Sequence, residues 1–149
     1  MRGTPGFLSA LTPQQEDRLR ELATEVRLPA DQRLFHEGRK ADRFWVLLSG
    51  SVVLDLRPPG EHPLMVETLH GGDLLGWSWL FAPHTWQLSA RTHTAVHALE
   101  FPADQVRSLC DRDPELGRDL VRAVAQVIAR RLQRSRQRLV SRVDDDPEL

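Results

Sequence analysis

The middle of the chain is divided into short apolar segments about ten residues apart, a spacing typical of β-strands joined by tight turns. Glycine or proline marks the turns at 37–38, 49–50, 58–60 and 71–72. Many short strands with such turns are typical of an all-β sandwich or barrel. The predicted strands are 28–29, 32–36, 44–49, 51–57, 64–69, 89–92 and 95–101.

Helical patterns stand on both sides of this β region. Before it, Thr12 is a good N-cap, Pro13 suits the first helical position, and Gln15 completes a capping-box pattern. Apolar residues then recur at helical spacing, which predicts a helix that ends near Arg27. After the β region, a short helix is predicted from residue 102 to Cys110.

A long helix is predicted near the carboxyl end of the sequence. Asp113 as N-cap and Pro114 at the first helical position mark its start, and it can run unbroken to about Val143. Its apolar residues fall on two faces, which suits a helix that packs both on its own domain and on a partner helix. One face carries Leu116, Leu120, Val124 and Val127, and the neighbouring face carries Val121, Ala125, Ile128, Leu132, Ser135 and Leu139.

Length and composition bound the organisation of the chain. Its 149 residues are predicted to form one β-domain with an N-terminal helix (7–112), a C-terminal helix (113–143) and an acidic tail (144–149). The net charge of −1 does not favour binding of the whole chain to nucleic acid or to an anionic membrane. No apolar run reaches membrane-spanning length. The lone Cys110 allows no intrachain disulfide, fits the cytoplasm, and is interpreted as a buried structural thiol.

No catalytic or metal-binding pattern stands out in the sequence. There is no Ser-His-Asp arrangement, P-loop or pair of catalytic carboxylates, so an enzyme is not predicted. The six histidines invite comparison with the cupins, in which a β-roll holds a metal. His93 and His97 share a face of a regular strand, but the cupin pattern of two histidines around one residue, followed by a glutamate, is absent. We therefore predict no metal site.

Two segments carry a family resemblance. Residues 37–52 read EGRKADRFWVLLSGSV, similar to the signature Gly-x-x-Ala-Asp-x-x-aromatic-x-Ile-x-x-Gly-x-Val of cyclic nucleotide-binding domains. Residues 71–81 read GGDLLGWSWLF and resemble the phosphate-binding cassette of that superfamily; we call them the cassette segment. The order of helices and strands resembles the catabolite activator and Fnr-type regulators. The resemblance implies a mainly β fold with flanking helices: a double-stranded jelly roll, or β-roll, plus an N-terminal helix and a long C-terminal helix.

The cassette segment departs from the family pattern at the positions that hold a cyclic nucleotide. In the family, a glutamate binds the ribose hydroxyl and a later arginine pairs with the cyclic phosphate. Here Trp77 stands at the glutamate position, while Trp86 and Gln87 stand near the arginine and its hydroxyl-bearing neighbour; Arg91 lies further along the strand. Removing one partner of such a buried charge pair costs about 2–5 kcal/mol. We therefore predict no cofactor, and no binding of cAMP or cGMP in the usual way.

The resemblance places a degenerate ligand site around the cassette segment. At Gly76, the absence of a Cβ allows a ligand or a ring to approach the backbone. Two outcomes stay open for the tryptophans: they form an aromatic cage, or they fill the emptied pocket as core. The pocket is accordingly plugged, or reshaped for a flatter or more apolar ligand. The candidate residues are Leu75, Gly76, Trp77, Ser78, Trp79, Thr85, Trp86, Gln87, Leu88 and Ser89.

The resemblance also implies that the long helix pairs with its twin across a two-fold axis. Ser135 and Arg136 are then the candidates for reaching a neighbouring pocket. The arginine-rich end of the helix is interpreted as a solvated face with favourable charge at a helix C-terminus, rather than as a nucleic-acid site. The candidate residues for the dimer helix and pocket lid are Ile128, Arg131, Leu132, Ser135, Arg136 and Leu139.

These features predict a cytoplasmic regulatory or protein-interaction module that forms a homodimer and acts on a protein partner in trans, without membrane contact. No residues for a recognition helix follow the long helix, so the chain is expected to be a stand-alone module, or a trimmed part of a longer protein, without a DNA-binding domain. Two alternatives stay open. One is a sensor of cyclic nucleotide or another small ligand, using backbone donors with Ser78, Thr85, Gln87 and Ser89. The other is a ligand-free adaptor within a larger assembly.

Overall fold

Two antiparallel sheets form the body of the molecule. The computed structural model describes residues 6–145, with side chains up to Ser141. Its strands in this range are β1 (Thr24–Leu28), β2 (Arg33–Phe35), β3 (Arg43–Ser49), β4 (Val52–Leu56), β5 (Leu64–Leu69), β6 (Leu74–Leu75), β7 (Ser89–Thr92) and β8 (Val96–Pro102). One sheet has the order β1-β8-β3-β6, and the other has the order β2-β7-β4-β5. The predicted β-roll is confirmed.

Helices lie before and after the roll, as the sequence predicts. They are α1 (Pro13–Arg20), α2 (Ala103–Arg112) and α3 (Pro114–Asp145), with 3-10 turns at Phe7–Ala10 and Ser78–Leu80. The predicted capping box at α1 is formed. The Gln15 amide N–H donates to the Thr12 hydroxyl at 3.2 Å, and the Thr12 amide N–H donates to the Gln15 side chain at 3.0 Å.

The first helix is shorter than the sequence pattern predicts. It ends at Arg20 rather than near Arg27, and the chain enters β1 at Thr24. Every residue of β1 pairs with β8 in one continuous register, from Thr24 opposite Glu100 to Leu28 opposite Val96. The predicted helix over 21–27 is wrong because this backbone pairing outweighs a helical spacing of apolar residues.

An aromatic column anchors the cassette segment to the hydrophobic core. Trp79, from the 3-10 turn of that segment, is fully buried. Its ring stacks on Phe44 at a centroid distance of 4.5 Å, and Phe44 stacks on Phe101 at 4.7 Å. Burial of large aromatic side chains contributes strongly to stability. The cassette segment is therefore fixed in place by its own tryptophan.

The long helix α3 begins as predicted and extends two residues further. The Asp113 carboxylate accepts the amide N–H of Leu116 at 3.2 Å and so caps the helix start. The helix continues through Asp145, so the predicted acidic tail 144–149 begins inside it, and residues 146–149 lie outside the described range. The predicted inner face is buried in the core and comprises Leu116, Leu120, Val124 and Val127.

Three further observations concern the described residues. None of their helices has the length and apolar character needed to cross a membrane. Their His, Cys, Asp and Glu side chains form no group of three or more that could hold a metal ion. Cys110 is half-buried, and burial, followed by the charges of Asp111 and Asp113, raises the pKa of its thiol. This direction makes the thiol less reactive.

Candidate functional site: a cavity between the cassette segment and the long helix

A cavity of about 210 Å³ opens between the β-roll and α3. Its walls come from the inner face of the second sheet, from the cassette segment with the residues that follow it, and from the middle of α3. One water needs only about 10–15 Å³, so the space can hold a small molecule. We call it the cassette cavity; it is lined by Phe35, Leu54, Val66, Glu67, Gly76, Trp77, Ser78, Trp86, Gln87, Leu88, Ile128, Arg131, Leu132 and Ser135.

Gly76 forms the close contact that the sequence predicts at this position, and the partner is a protein ring. The backbone of Gly76 lies in the left-handed region, with φ of +94°. A Cβ added there would lie 2.8 Å from Cζ3 of Trp86 and 3.0 Å from its Cη2. Trp86 therefore packs directly on the Gly76 backbone, in a space that any other residue would occupy.

The substitution Gly76→Ala is expected to lower the free energy of unfolding by about 2–3 kcal/mol, because left-handed strain adds to a clash with the indole. Urea denaturation measures it. Gly38→Ala is the matched control, since Gly38 has a similar φ of +84° but no atom within 4 Å of an added Cβ. The clash is contradicted if both variants lose equal stability, or if Trp86→Leu does not partly rescue Gly76→Ala.

The three neighbouring tryptophans do not converge into one cage. Trp86 is buried and stacks on Phe35, with ring centroids 3.8 Å apart and planes 13° apart. Trp77 is half-buried, and its ring meets the edge of Phe81 at 6.2 Å. Trp79 belongs to the core and lies outside the cassette cavity. Two tryptophans thus fill core positions and a space remains beside them, so the pocket is not plugged.

The structure brings together most of the predicted site residues but separates six of them from the cavity. Leu75 is buried in β6, Thr85 bridges to Lys40, and the Ser89 hydroxyl accepts the amide N–H of Glu37 at 2.9 Å. On α3, the side chains of Arg136 and Leu139 are exposed to solvent. The six residues outside the cavity are Leu75, Trp79, Thr85, Ser89, Arg136 and Leu139.

Glu67 is the most important cavity residue that was not predicted from the sequence, because it is the carboxylate that pairs with Arg131 in the cavity wall. Its side chain is only 6% exposed, and its Oε2 lies 3.5 Å from Nε of Arg131. Arg134 pairs with the other carboxylate oxygen. A signal was available, because Glu67 alternates with the buried Leu69 on β5 and so points inward. A buried carboxylate requires a cationic partner. The other cavity residues missed are Phe35, Leu54 and Val66.

The inner face of α3 changes from apolar to cationic after Val127. Arg131, Arg134 and Arg138, which we call the arginine row, continue the line of Leu120 and Val127 along the helix. Arg131 donates to the carbonyl of Leu74, Arg134 pairs with Glu67, and Arg138 donates to the carbonyl of Val66. The interpretation of the arginine-rich helix end as a solvated face is therefore wrong for Arg131, which is largely buried, while Arg134 and Arg138 are exposed to solvent and also contact the β-roll.

The charges at the cassette cavity are already matched by one another. Among the described residues that line it, only Glu67 and Arg131 are charged, and they form an ion pair. Burial lowers the pKa of the Arg131 guanidinium, and the carboxylates of Glu67 and Asp73 oppose that shift. Arg91 pairs with Asp31 and does not line the cavity. Among the described residues that line the cavity, none carries an unpaired positive charge that could bind a buried phosphate.

Sequence comparison shows similarity to a family of ligand-binding regulators. Residues 25–113 match the family described as Cyclic nucleotide-binding domain. A CRP-like cAMP-activated global transcriptional regulator of Mycobacterium tuberculosis is 30% identical over 142 residues, which cover 95% of this chain and 58% of that protein. The chain thus spans little more than half the length of this curated relative.

Solved structures show the same fold. The N-terminal domain of a transcriptional regulator from Streptomyces coelicolor A3(2) is 29% identical, with a TM-score of 0.70 over 83% of this chain and 89% of that one. A cyclic nucleotide-binding domain from Methylobacillus flagellatus KT has a TM-score of 0.81 at 17% identity, over 89% of this chain and 75% of that one. At that identity, the second likeness concerns the fold alone.

Proposed function

Because the chain belongs to the cyclic nucleotide-binding domain family, we propose that it is a regulatory module in which occupancy of the cassette cavity controls the position of α3, without a cyclic nucleotide bound in the family's usual mode. The observation that carries this proposal is a cavity that α3 lines on one side and whose charged lining residues, among those the structure describes, are paired with each other. We assign it no enzymatic activity.

The position of α3 supports a role in signalling. Ile128, Arg131, Leu132 and Ser135 line the cavity from the helix, opposite side chains of the β-roll. A ligand in this space contacts both parts at once, so its affinity depends on where the helix lies. A ligand shifts a conformational equilibrium only by such a difference in affinity between states. The cavity is therefore suited to coupling a small molecule to helix movement.

The cassette geometry disfavours a cyclic nucleotide. A buried phosphate requires a bidentate arginine or an equivalent set of donors. Trp86, near the expected arginine position, packs on Phe35 and on the backbone of Gly76, and its indole carries no charge. Trp77, which the sequence resemblance sets at the position of the family's ribose-binding glutamate, lines the cavity.

Isothermal titration of the purified chain with cAMP and cGMP tests this proposal. We expect affinity at least about 30-fold weaker than that of a cAMP-activated relative, since one missing charge partner costs about 2–5 kcal/mol. The M. tuberculosis regulator, titrated in the same buffer, is the positive control. Saturable micromolar binding to this chain contradicts the proposal and favours the second candidate, a nucleotide sensor that uses Ser78 and Gln87, which line the cavity.

We further propose that the module is a homodimer joined through α3. The helix leaves an apolar stripe exposed beside its arginine row, and Leu132 and Leu139 on that stripe are 60% and 62% exposed. On β5, Leu64 and Met65 are also exposed and offer a surface for a protein partner in trans. A module that acts through such a partner fits the cytoplasm, where its lone thiol at Cys110 stays reduced.

A further inference from the structure

We propose that the ligand of the cassette cavity is an uncharged, flat aromatic molecule of about two fused rings. This inference rests on the proposed function, because it presumes that the cavity is a ligand site. An apolar cavity of about 150 Å³ can bind benzene, and this one measures about 210 Å³. The added volume accommodates a second ring.

The aromatic wall of the cavity is held in place before any ligand enters. Trp86 packs against both the ring of Phe35 and the backbone of Gly76, and these contacts hold its indole at the cavity wall. Leu54, Leu88 and Ile128 supply further apolar surface around the same space. Rings that meet such a surface gain area burial and favourable stacking without first reordering the protein.

The charge pattern of the cavity selects an uncharged molecule. Both oxygens of Glu67 are engaged, one with Arg131 and the other with Arg134. Arg131 also donates to the carbonyl of Leu74. An anionic ligand would have to draw Arg131 away from Glu67, and a cationic ligand would have to displace Arg131 from the same carboxylate. Either exchange breaks the Glu67–Arg131 ion pair, in which both side chains are largely buried, and the first leaves Glu67 with only the half-exposed Arg134.

Polar groups at the cavity wall are suited to orienting such a molecule. Ser78 lies in the cassette segment and Ser135 on α3, and both residues line the cavity. Gln87 donates its side-chain N–H to the carbonyl of Thr85 at 3.0 Å, so its own carbonyl oxygen remains the group to accept a further hydrogen bond. A ring hydroxyl or ring N–H on the ligand can use these partners, which fix orientation rather than supply most of the affinity.

The probe pair 2-naphthol and 2-naphthyl phosphate tests this inference, because the two molecules share a ring system and differ in charge. Each is titrated calorimetrically into the full chain at neutral pH. We expect saturable binding of one 2-naphthol per chain, at least about 30-fold tighter than binding of the phosphate, since the phosphate enters without a cationic partner. Equal or tighter binding of 2-naphthyl phosphate overturns the inference.

Cavity-filling variants locate the binding site. Ser135→Trp fills the cavity from α3, and Leu88→Trp fills it from the β-roll. If both variants lose 2-naphthol binding, a disturbance of the helix alone cannot be the cause. Each is expected to weaken 2-naphthol binding at least about tenfold by overpacking the space. Gln133→Trp adds the same ring on an exposed part of α3 and is expected to bind like the parent chain. Unchanged binding in both filled variants overturns the inference.

The same titrations separate this inference from the proposed function. If 2-naphthol and the cyclic nucleotides all fail to bind, the ligand class is wrong, while the absence of usual cyclic nucleotide binding still holds. If cAMP binds at micromolar concentration and 2-naphthol does not, both fail. Circular dichroism of each tryptophan variant confirms that a lost binding signal comes from a folded chain.

Discussion

Replacing Glu67 with glutamine is expected to lower the free energy of unfolding by about 3–5 kcal/mol, the usual cost of removing one partner from a buried ion pair. The Arg131 side chain is only 14% exposed and would lose its charged partner. Arg134 is about half exposed and can turn to water, so Arg131 carries most of the loss. Urea denaturation followed by circular dichroism measures the change.

Asp42→Asn is the matched control for this substitution. Asp42 also pairs with an arginine, Arg43, but its side chain is 56% exposed. Exposed pairs contribute about 0–1 kcal/mol, so the control is expected to lose less than that amount. Equal losses at Glu67 and Asp42 would show that the Glu67 pair is open to solvent. The double variant Glu67→Leu with Arg131→Met is expected to recover most of the stability, because apolar side chains can replace a buried pair.

The Glu67 variant also tests what holds the distal half of α3. The buried apolar residues of the inner helix face end at Val127, and beyond it the arginine row makes the contacts to β5 and β6. Loss of Glu67 is therefore expected to speed amide exchange beyond Ile128 and to leave the first half of the helix protected. This pattern would show that the arginine row, rather than the hydrophobic core, holds the second half of α3 against the β-roll.

The overall fold is readable from the sequence because its signals are local. Turn glycines, strand spacing and helix caps each act over a few residues. The resemblance of segments 37–52 and 71–81 to cyclic nucleotide-binding domains then indicates how the strands and helices are arranged. The error at β1 arises where local and tertiary signals disagree. Apolar residues at 22, 23 and 26 fit a helix, but the edge of β8 offers a continuous strand pairing to residues 24–28.

The candidate site is readable only in part, since it depends on which side chains converge. Gly76 is predictable, because a glycine in the cassette segment implies a close approach to the backbone; the approaching ring belongs to Trp86. Trp79 lies only three positions after Gly76 yet is buried in the core, where its ring stacks on Phe44. Glu67 and Arg131 are 64 positions apart, and no local pattern in the sequence links them.

Introducing aspartate at Val121 and Leu139 together is expected to convert a dimer of this chain into monomers. Both residues lie on the exposed apolar stripe of α3, and neither lines the cassette cavity. The stripe lies about a quarter turn around the helix from the arginine row, so a partner helix can pack on it while the row stays bound to β5. Burying a large aliphatic side chain contributes about 1.5–3 kcal/mol, and a two-fold dimer contains each site twice.

We therefore expect the dimer dissociation constant to rise at least about a hundredfold, since each factor of ten corresponds to about 1.4 kcal/mol. Sedimentation equilibrium at micromolar concentration measures it. Gln133→Asp with Gln137→Asp is the matched control, because it adds the same charge at exposed positions on the opposite side of the same helix. A parent chain that is monomeric at these concentrations contradicts the dimer. A Val121→Asp, Leu139→Asp variant that remains dimeric would show that the interface lies elsewhere. With two buried aspartates on each helix, an interface at the stripe would hold four carboxylates without cationic partners.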